Sequence, residues 1–337
     1  VVANTLVAHN PELTVMPWQP SADIHLLKQR AKVINQIRAF FDARDVLEVD
    51  TPVMSHYGVS DPHIDSIPVS FTPDGTSIGS SMYLMSSPEY AMKRLLAAGS
   101  GCIYQIAKAF RNGEAGRRHN PEFTLLEWYR LDFNLEQLMQ EVACLIDTVL
   151  IDEVLEWHFW SYRKAFEEVL SIDPLTASDD AIKAKALAHV DIQMDDCSPR
   201  DTWLDLLMSH CIEPQLPAAC FIYDYPSSQA ALARTGIDER GNKVARRFEV
   251  YVNSIELANG YHELTDAQEQ EQRFASDNAA RSAMGKVPMA AEVRLIAALQ
   301  AGLPECSGVA LGVERLLMLA SGEKNIAKVM AFNHHLA

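Results

Sequence analysis

The sequence predicts an α+β chain, and three observations carry that reading. Residues 104–110 and 122–129 have the pattern of two strands joined by a loop rich in Gly, Arg and Asn. Residues 247–251 and 255–264 make a second strand pair, with Asn253-Ser254 as the turn between them. Around these hairpins, apolar residues recur at helical spacing. Neither GxGxxG nor GxxxxGK followed by Ser or Thr occurs, so the nucleotide-binding folds built on those loops lack their signatures.

Composition narrows the function classes. The 337 residues are 48% hydrophobic, enough for a sizeable core in one large domain or two small ones. No apolar run approaches the ~20 residues of a membrane span, and the first twenty residues lack the basic and apolar regions of a signal peptide. Cys102, Cys144, Cys197, Cys211, Cys220 and Cys306 include no CxxC pair, which argues against zinc and for buried thiols in a reducing, cytoplasmic setting. With 45 acidic residues against 29 basic, the formal charge of -16 repels polyanions, so nucleic-acid binding would need a strong basic patch. The hairpin loop with Arg111, Arg117, Arg118 and His119 concentrates cationic donors. In so acidic a chain, that loop points to a small anionic ligand such as phosphate.

Taken in order, residues 1–20 contain three prolines and no sustained period, and read as an extended leader. The remainder, 21–337, reads as one domain. Ser21 is the expected N-cap of a helix running to about Arg44, with Ile34, Ile37 and Phe41 on one face. Asp45 turns the chain into a short strand, Val46 to Thr51, closed by Pro52. Residues 55–80 read as loops with short strands. Pro88 then opens a helix in which Glu89 complements the dipole and Met92, Leu95 and Leu96 are helically spaced. The strand 104–110 alternates, setting Tyr104, Ile106 and Phe110 against Gln105, Ala107 and Lys108. Helices are expected over 135–150 and 161–171, and residues 173–226 read as a helical insertion ending in a core strand, Phe221 to Pro226. Further helices over 266–284 and 292–301 stop at Gly285 and Gly302. A Gly-rich strand, Cys306 to Gly312, leads through Arg315 into a last apolar helix.

Two stretches carry acids placed for chemistry. If Asn253-Ser254 turns the chain, Glu249 and Glu256 sit side by side and could share a hard cation, whereas isolated strand acids more often serve only to deter edge pairing. His262-Glu263 invites a zinc-protease reading, but Asp266 stands where the second histidine is required.

Phe110-Arg111-Asn112, Arg118-His119-Asn120-Pro121-Glu122-Phe123-Thr124 and Glu127-x-Tyr129 resemble motif 2 of the class II aminoacyl-tRNA synthetases, closest to the lysyl branch. The helix, strand and Pro52 ahead of them resemble motif 1, and Cys306 to Arg315 resembles motif 3. Ser87-Pro88-Glu89 followed by Lys93-Arg94-Leu95, and Asn259-Gly260-Tyr261-x-Glu263, match further lysyl-type runs. The resemblance implies an antiparallel sheet flanked by helices, a homodimer, and ATP-dependent adenylation of an amino acid. It assigns Arg111 and Arg315 to the phosphates as catalytic residues, and stacks adenine on Phe123. Asn112, Gly113, Glu114, His119, Asn120, Glu256, Leu257 and Gly312 complete the expected ATP site, and Glu249 with Glu256 would hold magnesium. Ser87, Pro88, Glu89, Tyr129, Asn259, Tyr261, Glu263 and Ala310 would form the amino-acid pocket, where buried acids select a substrate bearing two amino groups.

Three departures refine this. Only about twenty unpatterned residues precede the first helix, where lysyl-tRNA synthetases carry an anticodon-binding domain, which with the acidic balance disfavours tRNA as acceptor. Ala310 replaces a family glycine, a methyl-scale change worth about 1–3 kcal/mol in discrimination. From Trp18-Gln19-Pro20 through motif 3 the chain resembles the truncated lysyl-synthetase paralogues, and that resemblance, with Ala310 in support, implies joining of (R)-β-lysine to a lysine ε-amine of elongation factor P. Thirdly, the family's Arg-x-Glu is here Arg111-Asn112-Gly113-Glu114, so either Glu114 or the backbone near Gly113 would meet the adenine. The alternatives are a related enzyme that uses tRNA or another amine, and a regulatory paralogue that binds without chemistry.

Overall fold

The structure is a computed structural model that describes residues 18–76, 78–151, 154–191 and 198–337. The leader expected over 1–20 falls outside these residues except for its last three. Helix α1 (Ile24–Asp42) begins later than expected because Asp23, not Ser21, is its N-cap, accepting from the His25 N–H. Ser21 instead binds the C-terminal segment: its N–H donates to the Ala331 carbonyl, and its Oγ accepts from the Asn333 N–H. The buried face of α1 is Val33, Ile37, Phe40 and Phe41. Asp45 adopts φ 52°, the left-handed turn that Asp tolerates better than most residues.

Strand β1 (Leu47–Glu48) is shorter than expected. Strands β2 (Met54–Ser55), β3 (Ile67–Phe71) and β4 (Ser80–Leu84) form a small antiparallel sheet before helix α2 (Glu89–Ala97). The first hairpin pairs β5 (Ile103–Phe110) with β6 (Glu122–Leu131), from Ile103 opposite Tyr129 to Phe110 opposite Glu122. The alternation expected in β5 is not kept. Tyr104, Gln105 and Ala107 are all buried, because layers cover both faces, and Gln105 is tolerated there by accepting from the Thr51 hydroxyl at 2.9 Å.

Helix α3 (Leu135–Val149) starts in a capping box between Asn134 and Gln137, worth about 1 kcal/mol. Strand β7 (Trp157–Ser161) leads into α4 (Tyr162–Leu170), α5 (Asp179–His189) and α6 (Arg200–Leu207), the last continuing through a π-helical turn to Ile212 and a 3-10 turn, Glu213–Gln215. Strands β8 (Ala219–Pro226), β9 (Thr235–Ile237), β10 (Lys243–Val252) and β11 (Ile255–His262) follow. The turn between β10 and β11 has φ 49° at Asn253 and 59° at Ser254, the left-handed pair of a two-residue hairpin. Helices α7 (Ala267–Ala283) and α8 (Val293–Gly302), strand β12 (Cys306–Gly312) and helix α9 (Val313–Ser321) complete the order.

The main sheet runs β1-β5-β6-β12-β11-β10-β8-β7, with β9 beside β10. It is mixed rather than wholly antiparallel, because β1 joins β5 and β7 joins β8 in parallel at its two edges. One face packs on α1, α3 and α9 through Leu126, Trp128, Phe248, Val250, Val309 and Leu311. The opposite face is covered only toward its ends. Helices α4, α5 and α6 bury Cys220, Ile222, Ala245 and Tyr251 at one end, while α2, α7 and α8 bury Ile103, Tyr129 and Cys306 at the other. Between these two satellite cores the strands carry Glu127, Glu249, Asn259 and Ala310 instead of large apolar groups, and a cleft opens there. Among the described residues no helix is long and apolar enough to cross a membrane.

Candidate active site

The cleft has a volume of about 1110 Å³ and is walled by the middle strands of the sheet. Strand periodicity brings its side chains together. On β6 the residues with odd numbers face it, Phe123, Leu125, Glu127 and Tyr129, and on β12 the even ones, Gly308, Ala310 and Gly312. Ala310 lies between Asn259 and Glu127 on the neighbouring strands.

One end is a pocket of acids. Glu89 comes from the first turn of α2, Glu127 from β6, and Glu263 from the end of β11. Ser87 links the first two, its Oγ accepting from the Glu89 N–H at 3.0 Å and donating to Glu127 at 2.7 Å. The Tyr129 hydroxyl donates to the other Glu127 oxygen at 2.7 Å. Lys93, one turn after Glu89, places its Nζ 2.7 Å from Glu89 and 2.6 Å from Glu263. Lys93, Glu127 and Glu263 are each at most 2% exposed. Burial pushes the Glu127 carboxyl up to about 8, with nearby Glu89 adding to the effect and the Ser87 and Tyr129 hydrogen bonds opposing it. Burial likewise raises Glu263 to about 7, against the pull of Lys93. Burial disfavours the Lys93 ammonium, but Glu263 and Glu89 outweigh it and hold the pKa above the usual lysine value.

Tyr261 lies opposite Gly308 and lines the same wall. The Asn259 amide oxygen accepts from Arg247 Nε at 3.2 Å. Pro88 caps α2 without a side-chain bond, and its ring lines the cleft.

The other end is cationic. Arg111 ends β5, with its guanidinium 5.1 Å from the Phe123 ring centroid and 3.7 Å from Glu114. Its Nε is buried without a hydrogen-bond partner, a donor left for an anion. Arg315, in the first turn of α9, donates to His119 Nε2 at 2.8 Å, to the Glu256 carbonyl at 2.8 Å, and to the Glu256 carboxylate at 3.1 Å. Burial, then Arg315, lowers the His119 pKa, consistent with a neutral ring accepting that bond. Burial and Glu249 raise the Glu256 pKa, while Arg315 opposes them. Leu257, at the β11 irregularity, is buried below.

Several expectations change in detail. Glu249 and Glu256 share the cleft face but are diagonal, not directly opposite: Glu249 faces Asn259, Glu256 faces Tyr251, and a register shift lies between. Glu249 is also well supplied with donors, from Arg247, Tyr225 and Tyr251. Gly113 sits at φ 80°, where a side chain is strained, so the extra residue is a left-handed turn that displaces the acid to Glu114, which reaches back to Arg111. The Asn112 N–H donates to the Asp65 carbonyl at 2.7 Å. Asn120 lines the cleft, but its side chain is engaged: Nδ2 donates to the Glu122 carbonyl, and Oδ1 accepts from the His334 N–H at 3.0 Å. Gly312 is the N-cap of α9, and a Cβ there would meet only the Arg315 side chain, at 3.8 Å or more, so the protein itself does not demand glycine.

Four residues of the site carried no role in the sequence reading. Glu127 had a signal, an acid in an apolar strand on the same face as Tyr129. Lys93 had one too, the i,i+4 spacing from Glu89. Gly308 and Arg247 had none, because their roles depend on what crosses them from other strands.

The chain matches the family model for tRNA synthetases class II (D, K and N) over residues 17–335. It is 51% identical to the elongation factor P--(R)-beta-lysine ligase of Vibrio atlanticus over 94% of this chain and 97% of the relative. It is also 51% identical to the proteins of the same name from Vibrio cholerae, over 95% and 98%, and Proteus mirabilis, over 94% and 98%. With a family match across residues 17–335, nearly its whole length, the chain belongs to the class II tRNA synthetases of the D, K and N group.

Proposed function

We propose that this protein activates (R)-β-lysine with ATP as an aminoacyl adenylate and passes it to a lysine ε-amine of elongation factor P. The observation that carries this is the polarity of one cleft: two buried carboxyls, Glu127 and Glu263, with the half-buried Glu89 at one end, and Arg111 with Arg315 at the other. A substrate with two ammonium groups fits the acidic end and leaves its carboxylate toward the arginines. The names of the half-identical relatives supply the β-lysine and the acceptor.

In the first step a carboxylate oxygen attacks the α-phosphorus, the bond to the β-phosphate breaks, and pyrophosphate leaves. Arg111, with its unpartnered Nε, is placed to receive charge on the α-phosphate, and Arg315 to hold the leaving end. Phe123 offers its ring to the base, with Glu114 and the backbone at Gly113 nearby. In the second step the acceptor amine attacks the acyl carbon, AMP leaves, and the amine loses a proton. Catalysis is then positioning and charge stabilisation, without a covalent enzyme intermediate. Magnesium would neutralise phosphate charge when bound, and Glu256 and Glu249, on one face beside Arg315, are the residues suited to hold it.

Residues 21–337 act here as one catalytic unit, with helices α5 and α6 appended ahead of strand β8. A homodimer is supported by exposed Leu47, Val53 and Met54 around Pro52, and a cytoplasmic setting by the free cysteines Cys102, Cys144, Cys211, Cys220 and Cys306. The test is ATP–pyrophosphate exchange with magnesium, comparing (R)-β-lysine, L-α-lysine and no amino acid. Exchange favouring β-lysine, followed by its transfer to elongation factor P, is expected. Exchange favouring α-lysine with charging of tRNA would overturn the reading.

A further inference from the structure

Lys93 is buried to 1% exposure behind the cleft wall, between Glu89 and Glu263, two carboxyls that line the cleft. A buried ammonium is costly unless it is paired and hydrogen-bonded, and here two carboxylates at 2.7 and 2.6 Å meet that cost. Those partners belong to different elements. Glu89 is on α2 with Lys93, and Glu263 follows the last residue of β11, so the ammonium ties the helix to the sheet across the pocket. The third carboxyl, Glu127, takes its hydrogen bonds from Ser87 and Tyr129 instead.

The charges then count. Ionised, three carboxylates against one ammonium leave two negative charges, which equals the charge of two substrate ammonium groups. Without Lys93 the pocket would hold three acids in a low-dielectric space with no internal counter-charge, and a second carboxyl besides Glu127 would take up a proton. We propose that Lys93 is a specificity-determining positioning residue: it sets the charge of the pocket to match a diamino acid and fixes the Glu89 and Glu263 carboxylates for it. This rests on the reading of the substrate as a diamino acid. The groups that face Lys93 are Glu89 and Tyr90 on its own helix, Glu263 after β11, and Cys306 on β12; Glu127 and Tyr129 on β6 lie beyond Glu89 and Glu263.

Lys93→Met keeps an unbranched side chain one atom shorter and removes its charge. In the full-length protein, pyrophosphate exchange is followed as a function of diamino-acid concentration between pH 6.5 and 8.5. The variant should raise KM for the diamino acid at pH 7 by about tenfold or more, as expected when a buried acid loses its counter-charge. The KM for ATP should stay within about twofold, a change too small to count as a lost interaction. Raising the pH should recover much of the loss, because the extra proton on the acids must leave before the dication binds. Lys93→Met combined with Glu263→Gln removes one positive and one negative charge, and should bind the diamino acid better than Lys93→Met alone. Lys93→Arg, which keeps the charge, should retain the wild-type pH profile.

A wild-type pH profile in Lys93→Met, or a double variant no better than the single one, overturns the inference. If Lys93→Met does not fold, the double variant still decides it: its KM for the diamino acid should lie closer to the wild-type value than that of Glu263→Gln alone, and a higher KM than Glu263→Gln overturns the inference. Absence of exchange by the wild-type protein with every diamino acid overturns the functional reading and the inference with it. Exchange by the wild type with an unmoved profile in Lys93→Met overturns the inference alone.

Discussion

Gly308 passes under Tyr129 so closely that a Cβ at that position would lie 2.3 Å from the Tyr129 ring and 2.6 Å from a Glu263 carboxylate oxygen. The glycine makes the room in which the tyrosine and the acid meet. Gly308→Ala would force both to move, and overpacking of this kind costs about 1–3 kcal/mol. The expected result is a lower melting temperature together with a raised KM for the amino acid; a variant with wild-type KM would show that the floor of the pocket lies elsewhere.

Glu127 gives a pH signature to the unliganded protein. Its folded pKa is raised to about 8 by burial, from an ordinary value near 4.5. The folded state therefore holds a proton that the unfolded state has released, so this contribution to stability is fully present below about pH 4.5 and is lost as pH rises through 8. Glu127→Gln should flatten that decline in stability, measured by denaturant unfolding from pH 5 to 9. The same protonation makes substrate binding release protons near neutral pH, which calorimetry in buffers of different ionisation enthalpy should detect for the wild type and find diminished in Glu127→Gln.

Arg315 and His119 are joined at 2.8 Å. Arg315→Ala should reduce pyrophosphate exchange by about 10²–10³, the usual loss for one preorganised donor to developing charge. It should also let the His119 pKa rise, because one of the causes holding it down is removed, although burial remains. The His119 ring resonances in a pH titration by NMR report this directly.

Asn120 decides between two roles. If its amide serves chiefly to hold the C-terminal segment through His334, Asn120→Ala should cost about 1–3 kcal/mol of stability for groups left unpaired in a buried site. It should then raise the KM for ATP only as far as the loop loosens. A large rise in that KM with unchanged stability would put the amide on the nucleotide instead. The C-terminal segment holds the loop at a second point, where Arg117 Nε donates to the Lys324 carbonyl and the Ile326 N–H donates to Arg117.

Local pattern made much of the fold legible. The helices over 135–149 and 162–170 follow their apolar spacing, the charged helix over 267–283 stops before Gly285 as expected, and Asn134, Ser161 and Asp266 cap the three as their types predict. Asp266, which broke the zinc-protease pattern, proves to be a cap. The Asn253-Ser254 turn was equally legible, because two left-handed residues between strands admit few alternatives. The start of α1 was misplaced, since Ser21 and Asp23 are both good caps and only the C-terminal segment decides which is free.

The sequence by itself determined the elements, the order of the three motifs and the family's chemistry, because those depend on residue type and near spacing. It also determined that the chain is too acidic to favour a polyanion. The tertiary structure alone decided that the sheet is mixed at its edges, that Glu249 and Glu256 meet diagonally, and that Lys93 ties Glu89 to Glu263. Those relations join residues 7 to 174 positions apart on different elements. They depend on register and on which layer covers each face, and neither is written in any local run of residues.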